Sequence, residues 1–400
     1  MYGVVLEGGG ARGAYQIGVY KALIEEGIEV GGIAGTSVGA LNGAVLVQGD
    51  FEKAYELWYD ISYSKVIKAE DEEIEKLKKG KLEREDILLL VQRLKGIIGD
   101  GGLDITPLRN LLQEVIDEDK IRRSGKDFGI VTVSLSDLKP LELYIEDIPQ
   151  GKLIDYLMAS AYLPVFKREK IDGKKYIDGG IYNNLPANLL MDKGYKDLIV
   201  IRTGSFGIVR KLDFKGLNVL TISPKEDLGG ILDFDKNLSR YNLKLGYFDG
   251  LKALKGLKGY KYYIYPEEKE EFFINYLLNL EGEKIKDIKE IFRINQEIPD
   301  KRALFEFIIP RLCGILDLKD TADYEEIFLA LLENLAETYD VDRFKVYTYA
   351  KLIEEMKRKV RIEEEKEESN IIEKIIKKVD VLSLFTKSEV IKELGRIIFG

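Results

Sequence analysis

A serine lies between two glycines in the stretch Gly35-Thr36-Ser37-Val38-Gly39. A nucleophile on a tight strand-to-helix turn needs small residues two positions before and after it, because larger side chains would clash there. The spacing therefore predicts that Ser37 is a nucleophile and that Gly35 and Gly39 form its elbow, with a purely structural turn as the alternative. The chain of 400 residues contains no His, which excludes an intrachain triad that uses imidazole as the base.

Without imidazole, the groups that could take a proton from a serine hydroxyl are a carboxylate, a lysine or a tyrosinate. The stretch "YIDGGIYNNLP" (176–186) places Asp178 at the end of a predicted strand, directly before Gly179 and Gly180. Asp-Gly is also a common turn sequence, so a structural role is the alternative. A carboxylate with an ordinary pKa of about 3.9 is a weak base. We therefore expect Asp178 to act as a base only where it is partly desolvated and touches the hydroxyl.

The glycine-rich stretch "EGGGARG" (7–13) lies between the first predicted strand and the first predicted helix. Glycines there allow a tight turn and leave backbone N–H groups free to face an anion. Gly8, Gly10 and Gly13 also have the spacing of the dinucleotide fingerprint, so a nucleotide-binding module is a serious alternative. Such a fold requires an acidic residue at the end of the second strand, where this chain has Gly-Thr-Ser. A tight turn without any ligand is the third interpretation.

Three blocks of this chain, in order, resemble the signature blocks of the patatin-like phospholipase family: "GGGARGAYQIGV", "GTSVGALNG" and "YIDGGIYNNLP". The stretches "GLDITPLRNLL" (102–112) and "ASAYLPVF" (159–166) are similar to that family as well, and the resemblance covers roughly residues 3–205. Tyr162 and Leu163 stand where the family commonly has smaller residues, in a segment that we expect to line the acyl pocket.

The resemblance implies a lipid acyl hydrolase, phospholipase A-like, that works through an acyl-enzyme and needs no metal or cofactor. It implies a dyad of Ser37 and Asp178, a turn of Gly179 and Gly180 that supports the base, and a three-layer α/β/α core. The oxyanion hole is expected to draw on Gly8, Gly9, Gly10, Arg12 and Val38. Arg12 could instead hydrogen-bond loop carbonyls or attract a phosphate head group. A catalytically idle scaffold is the remaining alternative, and the intact Ser37 and Asp178 argue against it.

Short apolar runs alternate with amphipathic patterns through the first part of the chain, which predicts an α/β sheet with helices packed on it over residues 1–266. Residues 267–400 are rich in Lys, Glu, Ile and Leu and predict a mostly helical region, whose role as lid, interface or packing element stays open. Thr106 and Pro107 predict the N-cap and first turn of a helix. The predicted strands are 2–7, 28–35, 128–135, 141–146, 197–204, 217–222 and 261–266. The predicted helices include 14–27, 38–49, 51–62, 73–95, 151–161, 324–339 and 370–378.

Composition limits the classes of function. The hydrophobic fraction of 45% and charged fraction of 33% are typical of a globular protein, and the net charge of −9 argues against nucleic acid as a partner. A single cysteine, Cys313, fits a reducing compartment. We see no leader and no apolar stretch that could span a bilayer, and therefore expect a cytoplasmic protein with a lipid or phospholipid substrate. Peripheral membrane contact and the oligomeric state stay open. The segment 243–254 could lie at a lipid interface, although buried packing is the expected role.

Overall fold

The computed structural model describes residues 1–68, 102–267, 269–319, 321–368 and 387–399. The helices predicted over 73–95 and 370–378 lie outside the described residues. Contacts divide the chain into two compact units, Met1–Leu254 and Lys255–Gly400. The domain boundary predicted between residues 266 and 267 stays a prediction. None of the described helices has both the length and the apolar composition needed to cross a membrane.

A twisted sheet forms the centre of the first unit. Its strand order is β4-β3-β2-β1-β6-β7, and β5 pairs with β3 beyond the end of β2. The pairs among β3, β2, β1, β6 and β7 are parallel, whereas β4 and β5 run antiparallel to β3. The strands are β1 Tyr2–Leu6, β2 Val30–Thr36, β3 Asp127–Ser134, β4 Lys139–Tyr144, β5 Tyr176–Asp178, β6 Asp197–Ile201 and β7 Asn218–Ile222.

Helices cover both faces of this sheet. On one face, a Cβ at Gly43 of the second helix would lie only 3.0 Å from the Phe128 side chain and 3.2 Å from that of Ile33. On the other face, Leu189 and Leu190 share a buried cluster with side chains of β1, β2, β3 and β6. The helices of this unit are α1 Gly13–Glu25, α2 Val38–Val47, α3 Phe51–Tyr59, α4 Tyr63–Val66, α5 Thr106–Val115, α6 Glu118–Arg123, α7 Leu153–Ser160, α8 Ala187–Asp192 and α9 Lys236–Lys255.

The three-layer α/β/α core is therefore confirmed, and most of its strands lie where the sequence predicts them. Strands β1 and β2 are buried along almost their whole length, as expected of parallel strands covered on both faces. The start of α5 differs in detail from the prediction. Ile105 occupies the N-cap and Thr106 is the first helical residue, whose N–H donates to the Asp104 carboxylate at 2.9 Å.

The segment 243–254 belongs to the long helix α9, which packs against α1. A Cβ at Gly246 would lie 2.1 Å from the Tyr15 carbonyl oxygen, and one at Gly18 would lie 2.1 Å from that of Leu243. The two helix backbones therefore approach each other closely at these glycines. Buried packing, rather than contact with lipid, is the role that this segment has in the structure.

The second unit has its own helical core. Its helices are α10 Glu270–Leu278, α11 Gly282–Ile291, α12 Asp300–Ala303, α13 Ile309–Ile315, α14 Tyr324–Thr338, α15 Tyr349–Glu368 and α16 Lys387–Phe399. Phe273, Phe328 and Tyr349 pack together at its centre. The strand predicted over 261–266 is shorter, β8 Tyr263–Ile264, and it pairs with β9 Val346–Tyr347 of this unit. It is not part of the main sheet, which corrects the prediction.

Candidate functional site

The register of the sheet brings two distant parts of the chain together. The last residue of β2, Thr36, pairs with Val131 of β3. The last residue of β5, Asp178, pairs with Thr132, the next residue of β3. Because β2 runs parallel to β3 and β5 antiparallel to it, their carboxyl ends meet on the same side of β3. Ser37 and Asp178 therefore lie side by side.

Ser37 occupies a sharp turn between β2 and α2. Its φ of 55° and ψ of −127° place it in the left-handed half of the Ramachandran map, which costs energy for a residue with a Cβ. The flanking residues have no room for side chains. A Cβ at Gly35 would lie 2.2 Å from the Gly39 carbonyl oxygen, and one at Gly39 would lie 2.3 Å from that of Leu6. This is the geometry expected of a nucleophile elbow.

Three hydrogen bonds hold this turn in place, and none of them was predicted from the sequence. The Ser37 N–H donates to the Ser160 hydroxyl at 2.9 Å, and that hydroxyl donates to the Val131 carbonyl at 2.7 Å. The Thr36 hydroxyl donates to the Asn183 carbonyl at 2.8 Å. Ser160 is fully buried at the end of α7. Its only signal in the sequence is a run of small residues, "ASA", before the turn.

Asp178 is buried beside the serine hydroxyl. Its Oδ1 accepts the Gly180 N–H at 2.7 Å, and its backbone N–H donates to the Tyr162 carbonyl at 2.9 Å. No described residue hydrogen-bonds the buried Oδ2 with ordinary geometry. Burial raises the pKa of Asp178 from 3.8 to about 6, and hydrogen bonding by the Ser37 hydroxyl and the Gly180 N–H lowers the pKa only in part. The carboxyl therefore has one oxygen with no described partner other than the neighbouring Ser37 hydroxyl, and a basicity closer to that of imidazole.

The glycine-rich loop presents unpaired backbone donors near Ser37. Gly10 has a φ of 55°, and a Cβ there would lie 2.0 Å from the Ile231 carbonyl oxygen, so only glycine fits. The Ala11 N–H donates to that carbonyl at 2.8 Å. Within the described ranges, the N–H groups of Gly9, Gly10 and Val38 have no acceptor. These three groups are therefore available to bind an oxyanion, and that role stays a prediction.

Gly8 and Arg12 are placed differently from that expectation. The Gly8 N–H donates to the Asn184 carbonyl at 3.1 Å, so it is already occupied. The Arg12 guanidinium donates to the carbonyls of Gly204 and Gly229, each at 2.7 Å. The structure therefore does not direct either donor toward Ser37. Arg12 makes the loop-carbonyl contacts that were the alternative to its oxyanion role.

A buried carboxylate anchors the same loop and was missed from the sequence. Glu7, at the end of β1, is fully buried and accepts from the Arg202 guanidinium at 2.8 Å. It also accepts the N–H groups of Thr203 and Gly204 at 2.6 and 3.0 Å. The sequence offered one signal for this role: Glu7 directly follows a buried apolar strand. A charge buried at such a position requires hydrogen-bonding or ionic partners.

An apolar cavity of about 100 Å³ extends from Ser37 between α2, α3 and α5. Leu163 and Phe166 line it, as expected for the segment 159–166, whereas the Tyr162 side chain is not among the lining groups. The other walls include Leu41, Val45, Ala54, Leu57, Leu112 and Val115. Trp58 closes part of the wall, and its indole N–H donates to Asn42 Oδ1 at 2.8 Å. The surface that the cavity presents beside the serine is thus almost entirely apolar.

These features define an α/β/α protein in which a strand-to-helix turn presents a side chain at the carboxyl edge of a mainly parallel sheet. Comparison with known proteins identifies the family. The model of the patatin-like phospholipase family matches residues 4–191. The chain therefore carries a patatin-like phospholipase domain, and the resemblance predicted from its motifs is confirmed. The catalytic roles of Ser37 and Asp178 stay predictions.

Individual relatives are similar over the same region. Patatin-like phospholipase domain-containing protein 7 of Rattus norvegicus is 31% identical over 214 residues, which are 50% of this chain and 13% of that protein. Neuropathy target esterase sws of Drosophila melanogaster is 30% identical over 224 residues, 51% of this chain and 13% of that protein. The chain thus matches a small part of the length of these relatives.

One solved structure is similar over a longer range. VipD from Legionella pneumophila has a TM-score of 0.39 and 14% identity, covering 100% of this chain and 91% of that chain.

Proposed function

We propose that this protein hydrolyses carboxylic esters of lipids through an acyl-enzyme, with Ser37 as the nucleophile and Asp178 as the general base. The observation that carries this proposal is the pairing of Thr36 and Asp178 with adjacent residues of β3. It sets a strained serine against a buried carboxyl whose pKa is raised by burial to about 6. The patatin-like phospholipase domain makes a lipid ester the most reasonable substrate.

In the first half of the reaction, Ser37 Oγ attacks the ester carbonyl while its proton passes to Asp178 Oδ2, the oxygen without another partner. The carbonyl oxygen becomes an oxyanion, which the N–H groups of Gly9, Gly10 and Val38 stabilise. One such donor typically contributes about 3 kcal/mol to lowering the barrier. The intermediate then breaks its bond to the leaving alcohol, which takes the proton from Asp178.

In the second half, the same carboxylate takes a proton from water, which attacks the acyl-serine. Asp178 then returns this proton to Ser37 Oγ as its bond to the acyl group breaks and the fatty acid leaves. The apolar cavity beside Ser37 binds the acyl chain. This contact places the ester carbonyl carbon next to the serine, whereas the head group is not held by the cavity. Arg12 and Glu7 act indirectly, by holding the backbone around the site. Arg12 donates to loop carbonyls, and Glu7 accepts N–H groups of the backbone that follows β6.

Nucleotide binding is the alternative with the clearest sequence signal, and close packing around the loop argues against it. A Cβ at Gly8 would lie 2.2 Å from Asn184 Oδ1, and one at Gly9 would lie 2.6 Å from Thr203 Oγ1. Protein atoms thus fill the side of the loop that these glycines face. The end of β2 also carries Thr36 and Ser37 instead of the carboxylate that would bind a ribose.

The proposal is tested by incubating the protein with a phospholipid mixture and profiling the products by mass spectrometry. We expect wild-type protein to release free fatty acids, and Ser37→Ala protein to release none above background. Ser64→Ala changes an exposed serine whose hydroxyl contacts that of Ser62 among the described residues; it is the matched control and should behave as wild type. Equal release by the wild-type and Ser37→Ala proteins would contradict the proposal.

A further inference from the structure

The loop between β6 and β7, residues 205–216, exposes an unusual amount of apolar surface. Its sequence is "SFGIVRKLDFKG". Phe206, Ile208, Val209 and Phe214 are 69%, 56%, 44% and 38% exposed. Large apolar side chains clustered on a surface mark a site of interaction, because each loses contact with water when a partner covers it.

This loop is held against the folded unit. Leu212 and Leu217 pack on the cluster beneath the sheet. The Ser205 hydroxyl donates to the Gly8 carbonyl. A Cβ at Gly207 would lie 2.5 Å from the Asn184 side chain, so the backbone there is pressed against the core. The exposed side chains thus project from an anchored backbone.

The charge of this loop opposes the charge of the chain. It contains three basic residues and one acidic residue, Asp213, in a chain whose net charge is −9. Lys211 and Lys215 are exposed and form no ion pair with a described residue. Arg210 lies over the Tyr182 ring, with its Cζ 5.3 Å from the ring centroid. Aromatic and aliphatic side chains interleaved with basic ones complement an anionic lipid surface.

The same loop is hydrogen-bonded to the turn that holds Asp178. The Ile208 N–H donates to the Gly180 carbonyl at 2.8 Å, and the Ile208 carbonyl accepts the Asn184 N–H at 2.7 Å. The Gly180 N–H in turn donates to Asp178 Oδ1. The exposed Ile181 side chain lies in that turn as well. The apolar surface therefore borders the candidate active site.

We propose that residues 205–216 dock this protein on the surface of an anionic lipid bilayer and so bring the Asp178 turn to the interface. Phe206, Ile208 and Val209 enter the boundary between head groups and acyl chains, while Lys211 and Lys215 pair with anionic head groups. The role of this docking in catalysis rests on the proposed lipid hydrolysis, whereas the docking itself can be measured without turnover.

The test measures partitioning of the full chain onto vesicles of phosphatidylcholine, with and without phosphatidylserine, by flotation. Ser37→Ala protein is used, so that no lipid is consumed. Lys211→Gln/Lys215→Gln should weaken binding to anionic vesicles about 30-fold, since each basic residue near such a surface contributes roughly a factor of five. Phe206→Ser/Val209→Ser should weaken it at least tenfold.

Matched controls change the same residue types elsewhere. Lys286→Gln/Lys351→Gln removes two exposed lysines of the second unit, and Leu138→Ser removes a side chain that is 85% exposed. Both controls should bind as the parent protein does. Equal binding of the loop variants and the controls would overturn the proposal. So would loop variants that change only self-association in sedimentation, because the surface would then join two copies of the chain.

Activity separates the two proposals. With Ser37 restored, the Phe206→Ser/Val209→Ser protein should hydrolyse a soluble short-chain ester at the wild-type rate and anionic vesicles at least tenfold more slowly. Wild-type protein that binds vesicles but hydrolyses neither substrate would contradict the proposed function and leave docking supported. Wild-type protein that hydrolyses the soluble ester but does not bind anionic vesicles would contradict docking alone.

Discussion

At the scale of single residues, the proposed mechanism uses the burial of Asp178 to replace the missing histidine. An exposed aspartate is about three pKa units less basic than imidazole, which is too weak to take a serine proton efficiently. Removing water from the carboxyl raises its pKa to about 6, while the Gly180 N–H keeps it oriented. The absence of His suggested an acidic base, but only the structure gives the burial that makes it effective.

The pH dependence of activity follows from this shift. Asp178 must be ionised to accept a proton, so kcat/KM on a soluble ester should rise with pH through an apparent pKa of about 6 and then level off. Below that value the rate should fall about tenfold per pH unit. Steady-state rates from pH 4.5 to 8 measure this. A profile that stays level from pH 5 to 8 would show that Asp178 is not the base.

The same shift predicts a cost in stability. Between its ordinary pKa of 3.8 and about 6, the folded carboxyl holds a proton that the unfolded chain releases. The contribution of Asp178 to the free energy of unfolding therefore has its full value below pH 4. This contribution falls by about 3 kcal/mol as the pH rises through 6. The Asp178→Asn protein does not show this fall, because an amide side chain does not titrate. Denaturant unfolding should show the mutant gaining about 3 kcal/mol on wild type between pH 4 and 7; a constant difference would contradict the burial argument.

At the scale of elements, the ends of two strands and of one helix build the elbow beside the middle of β3. The carboxyl ends of β2 and β5 meet beside β3, and α7 supplies the Ser160 hydroxyl that bridges Ser37 to Val131. The hydroxyl pairs a buried N–H and a buried carbonyl at once, and each of these would cost about 1–3 kcal/mol if left unpaired. In the proposed reaction, Ser160 is therefore a positioning residue.

Ser160→Ala should lower kcat at least tenfold with little change in KM, because the elbow loses its anchor while the acyl cavity stays intact. Ser134→Ala is the matched control: it removes another buried hydroxyl near the end of β3, whose partner is the Asp137 carboxylate. Steady-state kinetics on a soluble ester compare the two. A Ser160→Ala protein with the kcat of the control would contradict the positioning role.

Local patterns predict the elements better than their arrangement. β1, β2 and β3 are short apolar runs that only a covered parallel sheet explains, so their positions were predicted closely. Helix α9 was missed because its glycines lower helix propensity, yet Gly246 is needed where α9 meets the Tyr15 carbonyl. The pairing of Asp178 with Thr132 joins positions far apart in sequence. No local pattern specifies that pairing; the sequence suggested only that Asp178 and Ser37 come into contact.

At the scale of the whole molecule, the first unit contains every described part of the candidate site. The cavity walls come from the stretches 37–66, 108–115 and 161–166, together with Gly10 and Phe234. The second unit has a separate aromatic and aliphatic core. The specificity for the acyl chain should therefore depend on side chains of the first unit.

Filling the cavity should shift that specificity. Val115→Phe adds volume to the cavity wall, so kcat/KM should shift at least tenfold toward shorter acyl chains. Gln113→Phe, which changes an exposed position of the same helix α5, should leave the preference unchanged. Hydrolysis of a series of nitrophenyl esters of increasing chain length measures the ratio. If both variants show the wild-type preference, the cavity does not bind the acyl chain.

The most direct test of the central claim is the rate and position of covalent labelling by a fluorophosphonate, followed by intact mass and peptide mapping. The account predicts a single adduct on Ser37 in wild-type protein. It also predicts labelling at least a hundredfold slower in Asp178→Asn, because the hydroxyl then has no base. An adduct on any other serine, or an Asp178→Asn protein labelled at the wild-type rate, would contradict the account.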